Sequence, residues 1–430
     1  MTGVRRGCLD CVAVDGGGEP GPGPAAPRPS RRLVTDPVFG PYWAGKLLAN
    51  VGIWIQNIAS AALVWQLTAS AFLVGLVSFA QFVPQLVLTP LSGAMADRGS
   101  PRRQILLGRT LCTLGAAILS GWVLLTPDVS DVPPWVVMVT ALVVGLGFSV
   151  GGPAMQALLP SLVRPGEVAR AVALDNLTFS VGRAVGPAVG GVVAATAGYG
   201  VAFGLAAVGH LVFLIAVFRL RTPGAATAPG PRLSVIAGVR YLRTDPVVGV
   251  LLLGVTAVGV GADPAVTLGP SLADVLGGGP ELVGVLASAF GAGAFLGFFA
   301  QVALVRWLDH AQLATTGLVL LAGSAVGLAA SWNVPAAVVA FVVGGIGLTL
   351  AMNGITTLLY DRVPREYIGR IMALWLMGFV GSRPLAAALN GALADLLTVG
   401  AALVVTAVLV LGAAVVCRPS VLRRPVPPGS

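Results

Sequence analysis

Residues 170–194 read RAVALDNLTFSVGRAVGPAVGGVVA, and residues 370–394 read RIMALWLMGFVGSRPLAAALNGALA. The two stretches align without a gap at a shift of 200 positions. Carried back to 141–194 against 341–394, the alignment keeps 14 of 54 residues. The matches include Gly145/Gly345, Gly147/Gly347, Arg170/Arg370, Leu174/Leu374, Arg183/Arg383 and Gly191/Gly391. Apolar composition inflates chance identity, but it does not place two arginines in register. The chain therefore reads as a parallel duplication. Its halves are related by an axis along a membrane normal, with a cavity between them near the midplane.

Composition identifies the solvent. Of 430 residues, 56% are hydrophobic and 10% charged, with 58 glycines. Soluble domains carry about 25% charged residues, and glycine is enriched in membrane helices. Twelve apolar segments follow, at 42–66, 71–95, 104–126, 134–158, 171–195, 200–219, 246–270, 282–305, 312–331, 335–359, 370–394 and 399–417. Each matches the roughly 20 residues that a spanning helix needs. The expected fold class is an all-α polytopic membrane protein of two pseudo-symmetric six-helix bundles. The expected divisions are a disordered cytoplasmic tail (1–37), a first bundle (38–220), a cytoplasmic linker with an amphipathic helix (221–245), a second bundle (246–417) and a C-terminal cytoplasmic tail (418–430). The first tail is rich in Gly, Pro and Arg and lacks the apolar core of a signal peptide.

Arginines fix the direction. They lie before the first span (Arg28, Arg31, Arg32), in loop 2–3 (Arg98, Arg102, Arg103) and in loop 4–5 (Arg164, Arg170). Others lie in the long loop 6–7, at Arg306 in loop 8–9, in loop 10–11 (Arg362, Arg365, Arg370) and in the C-terminal tail. The six alternate loops hold no Lys or Arg. The positive-inside rule puts both termini in the cytoplasm, and a composition rich in Ala, Gly, Arg and Val with a single Lys points to a GC-rich bacterial genome. The net charge of +9 is thus a topology signal and gives no argument for nucleic-acid binding. In the linker, Leu233, Ile236, Ala237 and Tyr241 have helical spacing beside Arg240 and Arg243. That pattern fits an interfacial amphipathic helix or an ordinary capped connection.

Missing chemistry narrows the function. The two histidines, His210 and His310, are far apart in sequence; Cys8 and Cys11 form a lone Cys-x-x-Cys in the tail. No Ser/His/Asp grouping, metal-type cluster or phosphate-binding Gly-x-x-x-x-Gly-Lys-Ser/Thr loop appears. No enzyme activity, cofactor or metal is expected.

Three stretches resemble the major facilitator superfamily. GAMADRGSPRR (Gly93 to Arg103) looks like its Gly-x-x-x-Asp-Arg loop motif, with Pro101 where a basic residue is usual. GRAVGPAVGG (Gly182 to Gly191) matches its antiporter-associated Gly-x-x-x-Gly-Pro-x-x-Gly-Gly pattern. ALLPSLVRPGEVARAVAL (157–174) and GVRYLRTDP (238–246) resemble the branch of enterobactin-type siderophore exporters and macrolide efflux permeases, the transmembrane secretion effectors. The second copy of the loop motif, near VRWLDH (305–310), has decayed, and span 4 lacks the arginine of drug/proton antiporters.

The resemblance implies proton-coupled efflux of a lipophilic or amphipathic molecule (a drug, antibiotic or siderophore-like metabolite) by alternating access in a monomer. Gly93, Asp97, Arg98, Arg102 and Arg103 would form an inner-mouth latch; plain positive-inside topology also accounts for the arginines. Gly182, Gly186, Pro187, Gly190 and Gly191 would give a kinked, tightly packed helix. Spans 1, 4, 7 and 10 line the cavity in this superfamily, which nominates Asn50, Gln56, Asn57, Gln156, Asn353 and Thr356; Trp375, in span 11, is a further candidate for flat apolar contact. Embedded charges are the sharpest pointers, because each costs about 2.5–3.5 kcal/mol at a helix centre. Arg183 and Arg383 each lie 13 residues past a loop arginine, roughly 20 Å deep at 1.5 Å per residue. They are candidates for attracting an anionic or acceptor-rich substrate, or for structural bonds at a helix break. Lys46 and Arg109 sit nearer the inner face, where snorkelling is expected. Asp263, before Pro264, and Asp175 are candidate proton carriers; Asp175 is also placed to pair with Arg170 or Arg109. An uptake permease, or a non-transporting membrane sensor or scaffold, is the alternative reading.

Overall fold

The computed structural model describes residues 30–164, 166–220 and 240–425. Twelve helices among them are long and apolar enough to span a bilayer. We number them α1 (Phe39–Thr68), α2 (Ala71–Arg98), α3 (Pro101–Leu125), α4 (Pro134–Leu158), α5 (Val168–Ala197) and α6 (Tyr199–Arg219). The second set is α7 (Pro246–Ala262, with a further turn at Pro264–Thr267), α8 (Pro280–Leu304), α9 (His310–Ala329), α10 (Val334–Arg362), α11 (Arg365–Leu396) and α12 (Val399–Val416). The expected tail lies outside the described residues up to residue 29, as does the linker at 221–239, including the amphipathic positions Leu233, Ile236 and Ala237; the end of the tail is ordered rather than disordered, because Ser30–Val34 form a helix whose Leu33 is buried beside Phe39 and Tyr42.

Short polar residues start the helices. Ser70, Ser100, Asn333 and Thr398 each accept a backbone N–H from the first turn, and Asp309 forms a reciprocal capping box with Gln312. Such caps satisfy donors that a bilayer-facing helix end would otherwise leave free. Prolines at the first turns of α3, α4, α7, α8 and α10 remove one of those donors altogether.

Packing repeats across the duplication. In the first half α1 packs on α5 and α6, α2 on α4, and α3 on α4 and α6. In the second half α7 packs on α11 and α12, α8 on α10, and α9 on α10 and α12. Every pair maps to its partner by adding six. The halves meet along α2·α11 and α5·α8, which exchange under the same operation. Two six-helix bundles therefore face each other across one seam.

The seam is closed at the end carrying the arginine-free loops. There the Asp395 carboxylate on α11 accepts the Ser70 hydroxyl (2.5 Å) and the Ala71 and Phe72 N–H groups (2.7 and 3.1 Å) at the start of α2. Ser70 meanwhile accepts the Leu73 N–H at 3.2 Å. An anion from one half thus caps a helix N-terminus of the other, where the helix dipole favours it. On the other seam, a Cβ at Gly191 would lie 2.9 Å from Gly284 Cα, and one at Gly284 would lie 2.5 Å from the Pro187 carbonyl.

Candidate functional site

Arg183 of α5 lies mid-helix at the seam. Its guanidinium carbon is 5.4 Å from the Trp54 ring centroid of α1 and 4.8 Å from that of Phe290 of α8. The two rings come from opposite halves. No hydrogen bond or ion pair within the described protein engages Arg183. Arg383 of α11 stacks 4.6 Å from the Phe82 ring of α2, again across the seam. Its Nε has no partner in the protein. Arg383 also borders a cavity of about 10 Å³ that Asn57, Ser78 and Gln81 line with polar groups, the scale of a single water. The two matched arginines stand within electrostatic reach of each other.

The α5 glycines explain how Arg183 reaches this place. A Cβ at Gly182, Gly186 or Gly190 would meet α1 at 2.8 Å (Asn50), 2.6 Å (Trp54) and 3.0 Å (Ile55). These three therefore bring α5 against α1, while Gly191 faces α8. Next to Pro187, the Ala188 N–H donates to Ser288 Oγ of α8 at 2.7 Å. The motif thus divides between packing within one half and sealing the seam between the two.

Asp263 sits where α7 breaks, 3% exposed. Its carboxylate accepts Thr267 Oγ1–H at 3.0 Å and Asn390 Nδ2–H at 2.8 Å, and Asn390 in turn accepts Thr406 Oγ1–H at 2.7 Å. Arg383 lies within electrostatic reach and forms no ion pair with it. Asn390 and Thr406 were not among the residues singled out from the sequence. Asn390 stands opposite Gly190 in the duplication, so the repeat alignment marked a polar residue where the first half needs none.

Asp175 belongs elsewhere. It pairs with Lys46 of α1 at 2.5 Å, both side chains buried. The expected partners Arg170 or Arg109 are replaced because Lys46 enters from α1 at the same depth. Snorkelling is overturned for both inner cations. Lys46 has this counter-ion, and Arg109, 1% exposed, is enclosed by Phe148 and Phe213. Because breaking a buried ion pair costs about 3–5 kcal/mol, Asp175→Asn should lower thermal stability by that amount in an unfolding assay. Replacing Lys46 by Met and Asp175 by Leu together should restore most of it.

The polar cavity candidates divide. Asn50 donates to Thr178 Oγ1 at 2.8 Å and Asn353 to Gln301 Oε1 at 2.5 Å; Thr356 bonds back to the Met352 carbonyl at 2.6 Å. Asn50 and Asn353 thus tie helices together within their own halves, while Thr356 bonds back to its own helix. Gln156 is exposed. Buried Gln56 and half-buried Asn57 each keep a side-chain oxygen without a protein partner, and Trp375 keeps its indole N–H so. In the loop motif, Arg102 Nε donates to the Val217 carbonyl at 3.1 Å and Nη2 to that of Phe218, so it caps α6 of its own half. Arg103 is exposed. At Gly93, Asp97 and Arg98 only the helical backbone is described. An apolar groove of about 450 Å³ lies along α7, α11 and α12 and reaches the seam at Leu86 and Gly381.

This geometry has relatives. A family profile described as transmembrane secretion effector matches residues 32–425. The enterobactin exporter EntS of Escherichia coli O1:K1 is 29% identical over 380 residues, covering 85% of this chain and 87% of that protein. EntS of Shigella boydii serotype 4 is 29% identical over 381 residues, with the same coverage. Among solved structures, the nucleoside transporter NupG superposes with a TM-score of 0.71 at 10% identity, covering 89% of this chain and 98% of that one. A bacterial homologue of the human lysosomal transporter Spinster gives 0.70 at 15% identity, covering 91% and 97%. The two-bundle fold, the repeated helix packing and the match over nearly all described residues agree: the chain belongs to the transmembrane secretion effector family of major facilitator transporters.

Proposed function

We propose that this transporter exports a lipophilic or amphipathic small molecule bearing an anionic or acceptor-rich group, of the drug, antibiotic or siderophore-like class, by alternating access coupled to proton influx. The carrying observation is Arg183, a guanidinium without an acceptor, held between a ring of each half. A buried cation without a counter-ion is costly. A substrate anion supplies the missing partner and touches both bundles, so its binding is felt by the seam. The apolar groove at Leu86 and Gly381 suits the lipophilic part of such a molecule. Similarity to the enterobactin exporter supports the outward direction. In this scheme the arginine-rich loops lie in the cytoplasm, the closed end of the seam faces outward, and the transporter works as a monomer in the bacterial inner membrane.

Asp263 is the proton carrier in this scheme. It is the buried carboxylate beside the seam that has no contacting cation, and its position at the helix break lets α7 bend around it. Asp175 is already neutralised by Lys46.

The test is transport in inside-out vesicles with an acid interior. Loading of a lipophilic anion should follow the gradient, by about tenfold per pH unit for each coupled proton. Loading only in right-side-out vesicles would overturn the direction. Asp263→Asn should abolish gradient-driven loading and leave exchange of substrate for substrate intact. Unchanged gradient-driven loading would remove Asp263 from the scheme.

A further inference from the structure

Inside the first bundle, Tyr42 (α1), Arg109 (α3) and His210 (α6) form a polar cluster away from the Arg183 and Asp263 sites. Neither α3 nor α6 takes part in the seam. Tyr42 and His210 are fully buried and Arg109 is 1% exposed. The Arg109 guanidinium carbon lies 4.7 Å from the Phe148 ring and 5.2 Å from the Phe213 ring. His210 meets Phe148 edge-on at 6.3 Å, and Tyr42 meets Phe213 at 5.3 Å. Arg109 Nη2 touches Met155 Sδ at 3.4 Å. Its Nε and Nη1, the Tyr42 hydroxyl and both His210 ring nitrogens have no hydrogen-bond partner in the protein.

Charge and donor accounting decide what fits. Lys46 and Asp175 lie beside the cluster and cancel each other. The thiol of Cys112 is turned to the Val144 carbonyl at 3.7 Å. Arg109 is left as a net positive charge. The free groups are rich in N–H and O–H donors and offer as acceptors only one imidazole nitrogen and the tyrosine oxygen. Water alone brings two further donors and no charge. Buried polar groups without partners are rare and costly.

We infer that Tyr42, Arg109 and His210 bind a small monovalent anion of the halide class, fixed within the first bundle. The anion neutralises Arg109 and ties α1, α3 and α6 together, and it is a structural ligand distinct from the transported molecule.

The experiment measures thermal unfolding of the purified full chain while chloride replaces gluconate at constant ionic strength. Wild type should gain a saturable rise in Tm. Tyr42→Phe, which removes one hydrogen bond to a charged group, should raise the half-saturating chloride concentration about tenfold. Arg109→Gln should abolish the dependence. Should that variant fail to fold, bromide-soaked wild-type crystals carry the test, with an anomalous peak expected against Arg109. Equal Tm in chloride and gluconate, equal response of wild type and Tyr42→Phe, or no bromide peak at the cluster would each overturn the inference.

Discussion

Arg183→Leu should reduce substrate transport by about 100-fold while leaving thermal stability unchanged or higher. The two signs together identify the role. A structural arginine holds carbonyls or a carboxylate, and its loss leaves them unpaired, which costs about 1–3 kcal/mol. Arg183 holds none, so replacing it with an apolar residue relieves a buried charge. The loss of transport follows from the charge-assisted bonds to the substrate, worth about 1.5–3 kcal/mol, or roughly 10- to 100-fold. The upper end fits a site walled by Trp54 and Phe290, where water competes poorly. Arg183→Lys should recover little, because an ammonium cannot stack as a planar guanidinium does between two rings. Vesicle transport and calorimetric unfolding of the same preparations check both signs. A variant that loses stability in step with transport would return Arg183 to a structural role.

The sequence made Arg183 visible because depth is countable: 13 residues from a loop arginine, repeated 200 positions later. The twelve spans, the duplication and the break at Asp263–Pro264 were readable for the same reason. Azimuth was not. In a bundle within lipid, apolar residues surround each helix, so the 3.6-residue period that marks the inner face of a soluble helix loses contrast. Hence Phe82 and Phe290 were indistinguishable from other apolar residues. Lys46 and Asp175 are 129 positions apart, and only the packing of α1 on α5 brings them together. His210 read as an isolated residue, and its neighbour Arg109 as a snorkelling cation near the inner face. Nothing in the local sequence marks Asp395 as the cap of α2 across the seam.

Gly191→Ala combined with Gly391→Ala should hold the outer seam apart and arrest the cycle. Gly191 lies on α5·α8, where its Cβ would sit 2.5 Å from the Pro280 carbonyl and 2.9 Å from Gly284 Cα. Gly391 lies on α11 facing α2, where its Cβ would sit 2.5 Å from the Ala71 carbonyl and 2.6 Å from Phe72 Cα. All four neighbours are backbone and cannot rotate away. Overpacking of this kind costs about 1–3 kcal/mol per site. The two sites belong to different helix pairs, so their costs add. At about 2–6 kcal/mol together, they span the roughly 5.5 kcal/mol needed to turn a 99:1 population into 1:99. Each half packs internally through other residues, so the bundles themselves persist. The clash at Gly391 also lifts the α2 start from Asp395, whose three accepted bonds exist only while the seam is shut. A spin-label distance between the starts of α2 and α8 and the ends of α5 and α11 should lengthen in the double variant, and transport should fall at least tenfold. Each single variant should move the distance distribution part of the way. An unchanged distribution in the double variant would mean that this seam does not open in the transport cycle.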